Sequence, residues 1–282
     1  MSFQKRKKEL VTSSEAKNRS ALARELGVSR SSLYYKAKKP SKDWELKCEI
    51  EKTLRGFPAY GHKRLAIHLK INKKRIRRVM KLFGIKPYRR KSKKWRKIKE
   101  NKGKHFPNLL LTNFPSYPNH IWASDFTHLK FRGKWVYLAT IIDLFTRRIV
   151  GFGVLLNHSN QLVINALLNA VNKYPIAQII HSDNGSEYTS KDYTTLCKNL
   201  GIEQSMSKPG CPWENGYQES FYGQFKIDLG DPDRFNDIGE LVYNIYKTIH
   251  VYNNYRIHTK LKMSPEAFGR RYLTKQVVER VS

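Results

Sequence analysis

The first part of the chain carries apolar residues at helical spacing, interrupted by short turn signals. Apolar residues within 21–26 form one face of a helix, and Gly27 can adopt the positive φ that ends it. Ser29 can cap a second short helix. The pattern is typical of a helix-turn-helix unit, in which Arg30 and Tyr35 would face a nucleic-acid groove, and a plain helical hairpin has the same pattern.

A second helical pair is predicted between residues 60 and 84, where residues 60–69 form one helix and Asn72 can cap the next. The second helix has an apolar face that suits a small core, made of Ile76, Val79, Met80 and Phe83. Its other face is basic and suited to lying along phosphates, through Lys73, Lys74, Arg77 and Arg78.

From Phe114 onward the pattern changes to strands alternating with helices. Strands rich in β-branched and aromatic residues are predicted at 120–131, 135–144, 149–156, 177–181 and 202–207. Amphipathic helices are predicted at 159–174, 190–201 and 217–229. Three consecutive strands, followed by helix, strand, helix and strand, predict an α/β fold with a mixed five-stranded sheet covered by helices.

This organisation predicts five segments along the chain. They are an N-terminal helix-turn-helix at 1–45, a second helix-turn-helix-like segment at 46–90, a basic linker at 91–113, the α/β core at 114–231 and a C-terminal helical extension at 232–282. Both helix-turn-helix segments are small and all-α.

Charge sharpens this picture, because the formal net charge of +31 is unevenly distributed. Residues 1–113 contain 35 Lys and Arg against 8 Asp and Glu, a net +27, which leaves +4 for the rest. Such an arm favours binding to a polyanion such as DNA, with a solvated basic tail or an anionic membrane surface as alternatives.

Several classes of protein are disfavoured by the same sequence. No apolar run approaches the roughly 18 to 20 residues of a membrane-spanning helix, and the basic start lacks the apolar segment of a secretory signal. The three cysteines are scattered and odd in number, which fits a reducing compartment. We therefore expect a cytoplasmic protein with no membrane partner.

Three distant carboxylates are the candidate catalytic residues: Asp125 in the first strand, Asp183 after the fourth, and Glu219 in the last helix of the core. Neighbouring strand ends would bring the two aspartates together, and the helix could place Glu219 opposite them. Such a cluster repels itself unless cations occupy it, and its oxygen ligands suit two Mg²⁺ or Mn²⁺ ions. Asn184 and Gly185 are expected to shape the backbone beside this site.

Other polar residues nearby have simpler interpretations. Asp143 is expected to cap a turn, Glu187 to start a helix, and His181 to pack or hydrogen-bond at a strand end rather than bind metal. Glu203 lies in a predicted strand at the wrong interval to be the third ligand. Phosphate binding, or a solvated face, is predicted for the basic positions Lys226, Arg256 and His258.

The segments around the three acids resemble the motifs of the DDE transposases and retroviral-type integrases. They are residues 121–127, 181–188 and 219–221, with 35 residues between Asp183 and Glu219 and a basic residue, Lys226, seven positions after Glu219. Residues 60–84, 252–258 and 264–268 extend the resemblance to the second-frame transposases of the insertion-sequence-three (IS3) family. One departure is Glu214, where many members of the family have an aspartate.

This resemblance implies a ribonuclease-H-like integrase core that cleaves DNA and transfers strands by phosphoryl transfer at two metal ions. The implied partners are the terminal repeats of the element, target DNA, further copies of the chain and an upstream-frame protein, either separate or fused. Two alternatives stay open, a DNA-binding regulator with an inactive core and a ribonuclease-H-type nuclease.

Overall fold

The structure, a computed structural model, describes residues 19–25, 27, 29–31, 39–89, 106–208 and 212–281. It has two compact units, with the boundary between Cys48 and Glu49. Its longer helices are α1 Arg19–Glu25, α2 Lys39–Gly56, α3 His62–His68, α4 Lys73–Leu82, α5 Asn160–Val171, α6 Ser186–Thr189, α7 Lys191–Asn199, α8 Gly216–Leu229, α9 Ile238–Asn254 and α10 Pro265–Val281. The strands are β1 Ile121–Phe131, β2 Lys134–Asp143, β3 Ile149–Leu155, β4 Ile179–Ser182 and β5 Glu203–Met206.

The first unit carries the N-terminal helical segment. Gly27 has a φ of 60°, the left-handed conformation predicted for the residue that ends the first helix. Arg30 is exposed, whereas Tyr35 lies outside the described residues. In the part of the chain that the structure describes, no helix is long and apolar enough to cross a membrane.

The second unit is built on a five-stranded sheet in the order β3-β2-β1-β4-β5. Strands β1, β2 and β3 pair antiparallel, whereas β4 pairs parallel with both β1 and β5. The predicted mixed five-stranded sheet with flanking helices is therefore confirmed. Since the chain enters β4 through α5, the sheet brings the middle of β1 beside the end of β4.

Helices cover both faces of the sheet. On one face, α5 and α7 bury an apolar cluster with Trp122, Ile141 and Ile180. On the other face, α8 and α9 pack on residues such as Ile121 and Leu138. Side chains therefore alternate between two cores along each strand, as expected for a sheet covered on both faces.

The predicted second helical pair belongs to the same compact unit as the core. Asn72 caps α4, since its side chain accepts a hydrogen bond from the Lys74 N–H at 2.8 Å. The face predicted to be apolar is buried at Ile76, Val79 and Met80 and partly buried at Phe83, and the predicted basic positions Lys73, Lys74, Arg77 and Arg78 are exposed.

Residues 57–64 dock this pair against the C-terminal part of the unit. The hydroxyl oxygen of Tyr60 accepts a hydrogen bond from the Ile257 N–H at 2.6 Å, and Arg64 donates to Gln224 Oε1 at 3.0 Å and to Thr259 Oγ1 at 3.1 Å. The segments predicted at 46–90, 114–231 and 232–282 thus share contacts that sequence patterns do not reveal. The five boundaries themselves stay predictions.

Candidate active site

Asp125 and Asp183 are brought level by the register of two neighbouring parallel strands. Ala123 of β1 pairs with His181 of β4. Asp125 and Asp183 each lie two residues after this pair, and the two strands run in the same direction. Asp125 is half-buried, and its Oδ1 accepts a hydrogen bond from the Phe126 N–H at 2.8 Å. The pairing of β1 with β4 therefore joins two acids that are 58 positions apart in the sequence.

The turn after β4 holds the Asp183 carboxylate. The Gly185 N–H donates to Asp183 Oδ1 at 3.2 Å, and burial followed by the nearby Glu187 raises the pKa of Asp183. Glu187 lies in the first turn of α6, as predicted, and is paired with His158 Nε2 at 2.8 Å. The Gly185 N–H thus contacts the Asp183 carboxylate directly, and the site-shaping roles expected of Asn184 and Gly185 stay predictions.

Helix α8 crosses β1 and is anchored to it at every fourth residue. Gln218 Nε2 donates to the Ala123 carbonyl at 2.5 Å, the Tyr222 hydroxyl to the Asp125 carbonyl at 2.7 Å, and Lys226 Nζ to the His128 carbonyl at 3.1 Å. Glu219 follows Gln218 and is exposed to solvent. The three anchors set the position of Glu219 along β1.

The three acids form one electrostatic cluster. Burial, then the Asp183 carboxylate and then Glu219 raise the pKa of Asp125, against the opposing effects of the Phe126 N–H and Lys226, to a net value of about 8. A carboxyl that is half-buried beside two other carboxyls resists ionisation unless a cation compensates the charge.

A divalent cation fits this donor set. The three carboxylates match the preference of Mg²⁺ and Mn²⁺ for hard oxygen ligands. Within the described residues, no three acidic, imidazole or thiol groups are already gathered at the spacing of an assembled metal site. The acids are therefore close enough to influence each other's ionisation, and a cation would have to draw them together.

The residues assigned simpler roles occupy those roles. The Asp143 carboxylate caps the turn after β2, accepting from the N–H groups of Phe145 at 3.3 Å and Thr146 at 3.1 Å. His181 is buried, its Nδ1 lies 2.8 Å from Ser205 Oγ, and burial lowers its pKa to about 4. Both predictions are confirmed, and neither side chain belongs to the acidic cluster.

Glu214, the residue that departs from the pattern, has a structural role. Its Oε2 accepts hydrogen bonds from Asn108 Nδ2 at 2.8 Å and from the Lys208 N–H at 2.7 Å. It thereby ties the segment before β1 to the segment after β5. The glutamate is used as a clamp outside the acidic cluster.

Two of the predicted phosphate contacts are placed differently from expectation. Arg256 is only 3% exposed and forms a buried ion pair with Asp228, while its second arm donates to Gln224 Oε1 at 2.5 Å. This geometry weighs against a phosphate contact by Arg256, because the guanidinium is buried and the Asp228 carboxylate compensates its charge. Burial and four surrounding cations lower the pKa of His258 to about 4, so its imidazole is neutral at physiological pH.

Replacing Gly185 with Ala is expected to lower catalytic activity about tenfold or more with little loss of stability. An added Cβ would lie 2.8 Å from Glu187 Oε2 and 3.1 Å from Asp183 Oδ1, so the Asp183 carboxylate would have to move. Displacement of a catalytic group by about 1 Å is enough to cost roughly 100-fold in rate. Strand-joining rates and thermal melting of Gly185→Ala measure the two effects, with Gly56→Ala as the control, because an added Cβ at Gly56 meets nothing within 4 Å.

The proteins that this chain matches are polynucleotidyl transferases of the integrase-core class. Two protein-family models described as "Integrase core domain" match residues 115–212 and 200–265 of the sequence. A third family model, described as "Bacterial regulatory protein, Fis family", matches residues 15–39. The chain is 32% identical to the putative transposase InsK for insertion sequence element IS150 of Escherichia coli, over 86% of this chain and 89% of that protein. The chain belongs to the IS3 family of insertion-sequence transposases, of the second-frame type, which cleave DNA and transfer the cleaved strands.

The chain is also similar to another curated transposase and to a solved structure. Transposase InsF for insertion sequence IS3A of Escherichia coli is 34% identical over 59% of each chain. Among solved structures, the HTLV-2 integrase catalytic core domain in complex with magnesium has 22% identity and a TM-score of 0.46, covering 54% of this chain and 97% of that one. The match at residues 15–39 favours the helix-turn-helix over the plain hairpin, so this part of the sequence prediction is confirmed.

Proposed function

We propose that Asp125, Asp183 and Glu219 bind two Mg²⁺ or Mn²⁺ ions and that the chain uses this site to cut and join DNA at the terminal repeats of its own element. The observation that supports this most directly is that burial, together with the neighbouring Asp183 and Glu219 carboxylates, raises the pKa of Asp125 to about 8. When bound, two such ions activate the attacking oxygen and stabilise the leaving oxygen of an in-line phosphoryl displacement.

The protein side chains around the acids orient them and the DNA. The Gly185 N–H restrains the Asp183 carboxylate, and the Tyr222 hydroxyl fixes the backbone of β1 at Asp125. Lys226 lies two helical turns after Glu219 and close enough to Asp125 to favour its ionised form. We assign Lys226 to a backbone phosphate of the strand being cut, where a cation also balances the charge of the acids.

We assign further DNA contacts to the basic part of the chain, residues 1–113. In this proposal the exposed face of α4, with Lys73, Lys74, Arg77 and Arg78, lies along phosphates, and Arg30 and Tyr35 read or contact a groove. Assembly on DNA as a homo-oligomer is proposed from the exposed aromatic side chains of α9, Tyr243 and Tyr246. An upstream-frame partner or fusion would supply further DNA binding.

A strand-joining assay tests this function. Purified protein, Mg²⁺ or Mn²⁺ and a labelled duplex ending in the terminal repeat beside the gene are expected to give joined product, and Glu219→Gln is expected to give none. Duplex binding without product in the wild-type protein would favour a regulator with an inactive core. Cleavage of RNA–DNA hybrids in preference to the terminal repeat would instead favour a ribonuclease-H-type nuclease.

Asp125→Asn is expected to raise the melting temperature of the metal-free protein by roughly 2 to 4 °C, the shift that corresponds to about 1 kcal/mol. Because the folded-state pKa of Asp125 is raised to about 8, ionisation costs stability as pH rises from about 4 to about 8, and the cost persists above that. The stabilisation should therefore be largest at pH 8 and vanish near pH 4.

Thermal melting in EDTA and in Mg²⁺ measures this effect. Mg²⁺ is expected to raise the melting temperature of the wild-type protein and to have little effect on Asp125→Asn, since metal binding needs the ionised carboxylate. Equal melting temperatures of the two proteins in EDTA at pH 8 would contradict the proposal that the ionised Asp125 carboxylate destabilises the metal-free protein.

A further inference from the structure

A cavity of about 470 Å³ opens beside α8. Its walls come from α3, the turn after β2, α8 and the segment after α9. In α8 the lining residues include Tyr217, Ser220 and Gln224, which flank Glu219 in sequence. Successive helical residues are about 100° apart, so these side chains occupy a different face from Glu219 and Lys226.

The lining of this basic pocket contains cations and no carboxylate. Arg64, Arg147, Arg256 and Lys260 line it, and Asp228, the partner of Arg256, is not part of the lining. Arg64 and Arg256 donate to the same neutral oxygen, Gln224 Oε1, at 3.0 Å and 2.5 Å. Two guanidinium groups that share one neutral acceptor lie close together, and such a site attracts an anion.

The electrostatic consequences are visible on the pocket residues. Burial and then repulsion by Arg256 lower the pKa of Arg64, against smaller opposing effects of Tyr60 and Asp228. Burial, then Arg147, Arg64, Lys260 and Arg256, lower the pKa of His258 to about 4. All four cations thus act on one neutral imidazole, whose buried Nδ1 has no hydrogen-bond partner among the described residues.

Arg147 is directed at the pocket by an unusual backbone conformation. It has a φ of 65° in the turn capped by Asp143, a conformation that non-glycine residues rarely adopt. Its guanidinium lies 4.1 Å from the centroid of the Tyr217 ring, and its Nη1 is buried without a hydrogen-bond partner in the part of the chain described. The turn thereby holds a cation with unused donor capacity.

We propose that the basic pocket binds a phosphate group of the DNA strand, through Arg64, Arg147 and Lys260, next to the acidic site on α8. The proposal rests on the proposed function, which brings a DNA strand to Glu219 on the neighbouring face of the same helix. The cavity lies within the roughly 300 to 1,000 Å³ typical of ligand pockets, so it has room for a nucleotide, with the half-exposed Tyr217 ring available to a base.

The pocket also gives the second helical pair a function in the active assembly. Arg64 is supplied by α3, whereas Arg147 and Lys260 come from the core and from the C-terminal segment. A phosphate bound by all three would connect these segments through the substrate. The strand would then be held on both sides of Glu219, by this pocket and by Lys226.

Binding of phosphate-modified DNA tests the proposal without relying on catalysis. The full-length protein is titrated in EDTA with a duplex carrying the terminal repeat, in which a single neutral methylphosphonate replaces one phosphate at successive positions near the end. We expect one position near the cleaved bond to weaken wild-type binding roughly tenfold, the loss of one charged hydrogen bond. Since EDTA prevents joining, failure of the catalytic proposal would leave this measurement unaffected.

Arg147→Gln and Lys260→Gln should weaken binding of the unmodified duplex roughly tenfold and become insensitive to methylphosphonate at that position. The slope of log affinity against log salt should also fall by about 0.9. Lys260 is exposed, so its variant separates lost binding from a folding defect at Arg147, which packs on Tyr217. The matched control is Lys198→Gln, at an exposed lysine of α7 on the opposite face of the sheet.

Three results would overturn the proposal. The first is that Arg147→Gln and Lys260→Gln both bind the duplex with wild-type affinity. The second is that both variants bind more weakly but lose affinity at the same methylphosphonate position as the wild-type protein. The third is binding of inorganic phosphate or deoxyadenosine monophosphate that depends on Arg147 and Lys260 while no DNA position does. That last result would identify a free-nucleotide site instead of a DNA-backbone site.

Discussion

Asp183→Asn is expected to reduce strand joining by about a thousandfold or more, which corresponds to about 4 kcal/mol of lost transition-state stabilisation. Loss of one carboxylate removes a ligand from the proposed metal pair, and such ions contribute several kcal/mol to phosphoryl transfer. The asparagine amide keeps an oxygen that can accept the Gly185 N–H, so the turn after β4 should retain its shape. Joining rates in Mg²⁺ and Mn²⁺ measure the effect.

Duplex affinity is the control for this substitution. We expect Asp183→Asn to bind the terminal repeat within about twofold of the wild-type protein, because the basic arms and not the acids supply most of the affinity. Asp192→Asn, at an exposed acid on α7, is a matched change of charge that should join normally. Joining by Asp183→Asn at wild-type rates would remove Asp183 from the catalytic set.

Arg256→Ala is expected to lower the free energy of unfolding by about 3 to 5 kcal/mol, because removal of one partner leaves a buried charge uncompensated. Asp228 is largely buried, and its ion pair with Arg256 compensates the charges of both buried groups. The guanidinium also contacts Gln224 Oε1 and packs 5.4 Å from the Tyr60 ring centroid. Denaturant unfolding measures the loss.

A double substitution distinguishes a structural role from DNA binding. Arg256→Ala/Asp228→Asn should recover a large part of the lost stability, since it removes the orphaned carboxylate along with its partner. Stability that is unchanged in Arg256→Ala, together with weaker DNA binding, would restore the phosphate contact first predicted for this residue.

Helix α8 contacts both the acidic cluster and the basic pocket. One face anchors to β1 through Gln218 and Tyr222, and Glu219 and Lys226 approach Asp125. Another face, with Gln224, receives Arg64 and Arg256. Helix α8 therefore carries both the proposed metal ligand Glu219 and the residue that docks α3, Gln224.

The strands, helices and acids of the core could be predicted from local patterns. The effects of β-branched runs, turn residues and a cap such as Asn72 extend over only a few residues, so local sequence predicts them. The interval between Asp183 and Glu219 carried the resemblance to a family that the comparisons then showed. The roles of Asp143 and His181 were also predicted, because a turn cap and a buried strand end have local signatures.

The chemistry of Arg64, Arg147 and Arg256 was decided only by the tertiary structure. In the sequence each is one more basic residue, and a phosphate contact was the natural expectation for Arg256. Burial beside Asp228 makes it structural, whereas the φ of 65° at Arg147 and the docking of Arg64 on Gln224 gather cations around one cavity. Local sequence determines which groups can carry charge; long-range packing determines which charges are compensated, and that difference separates a buried ion pair from a binding site.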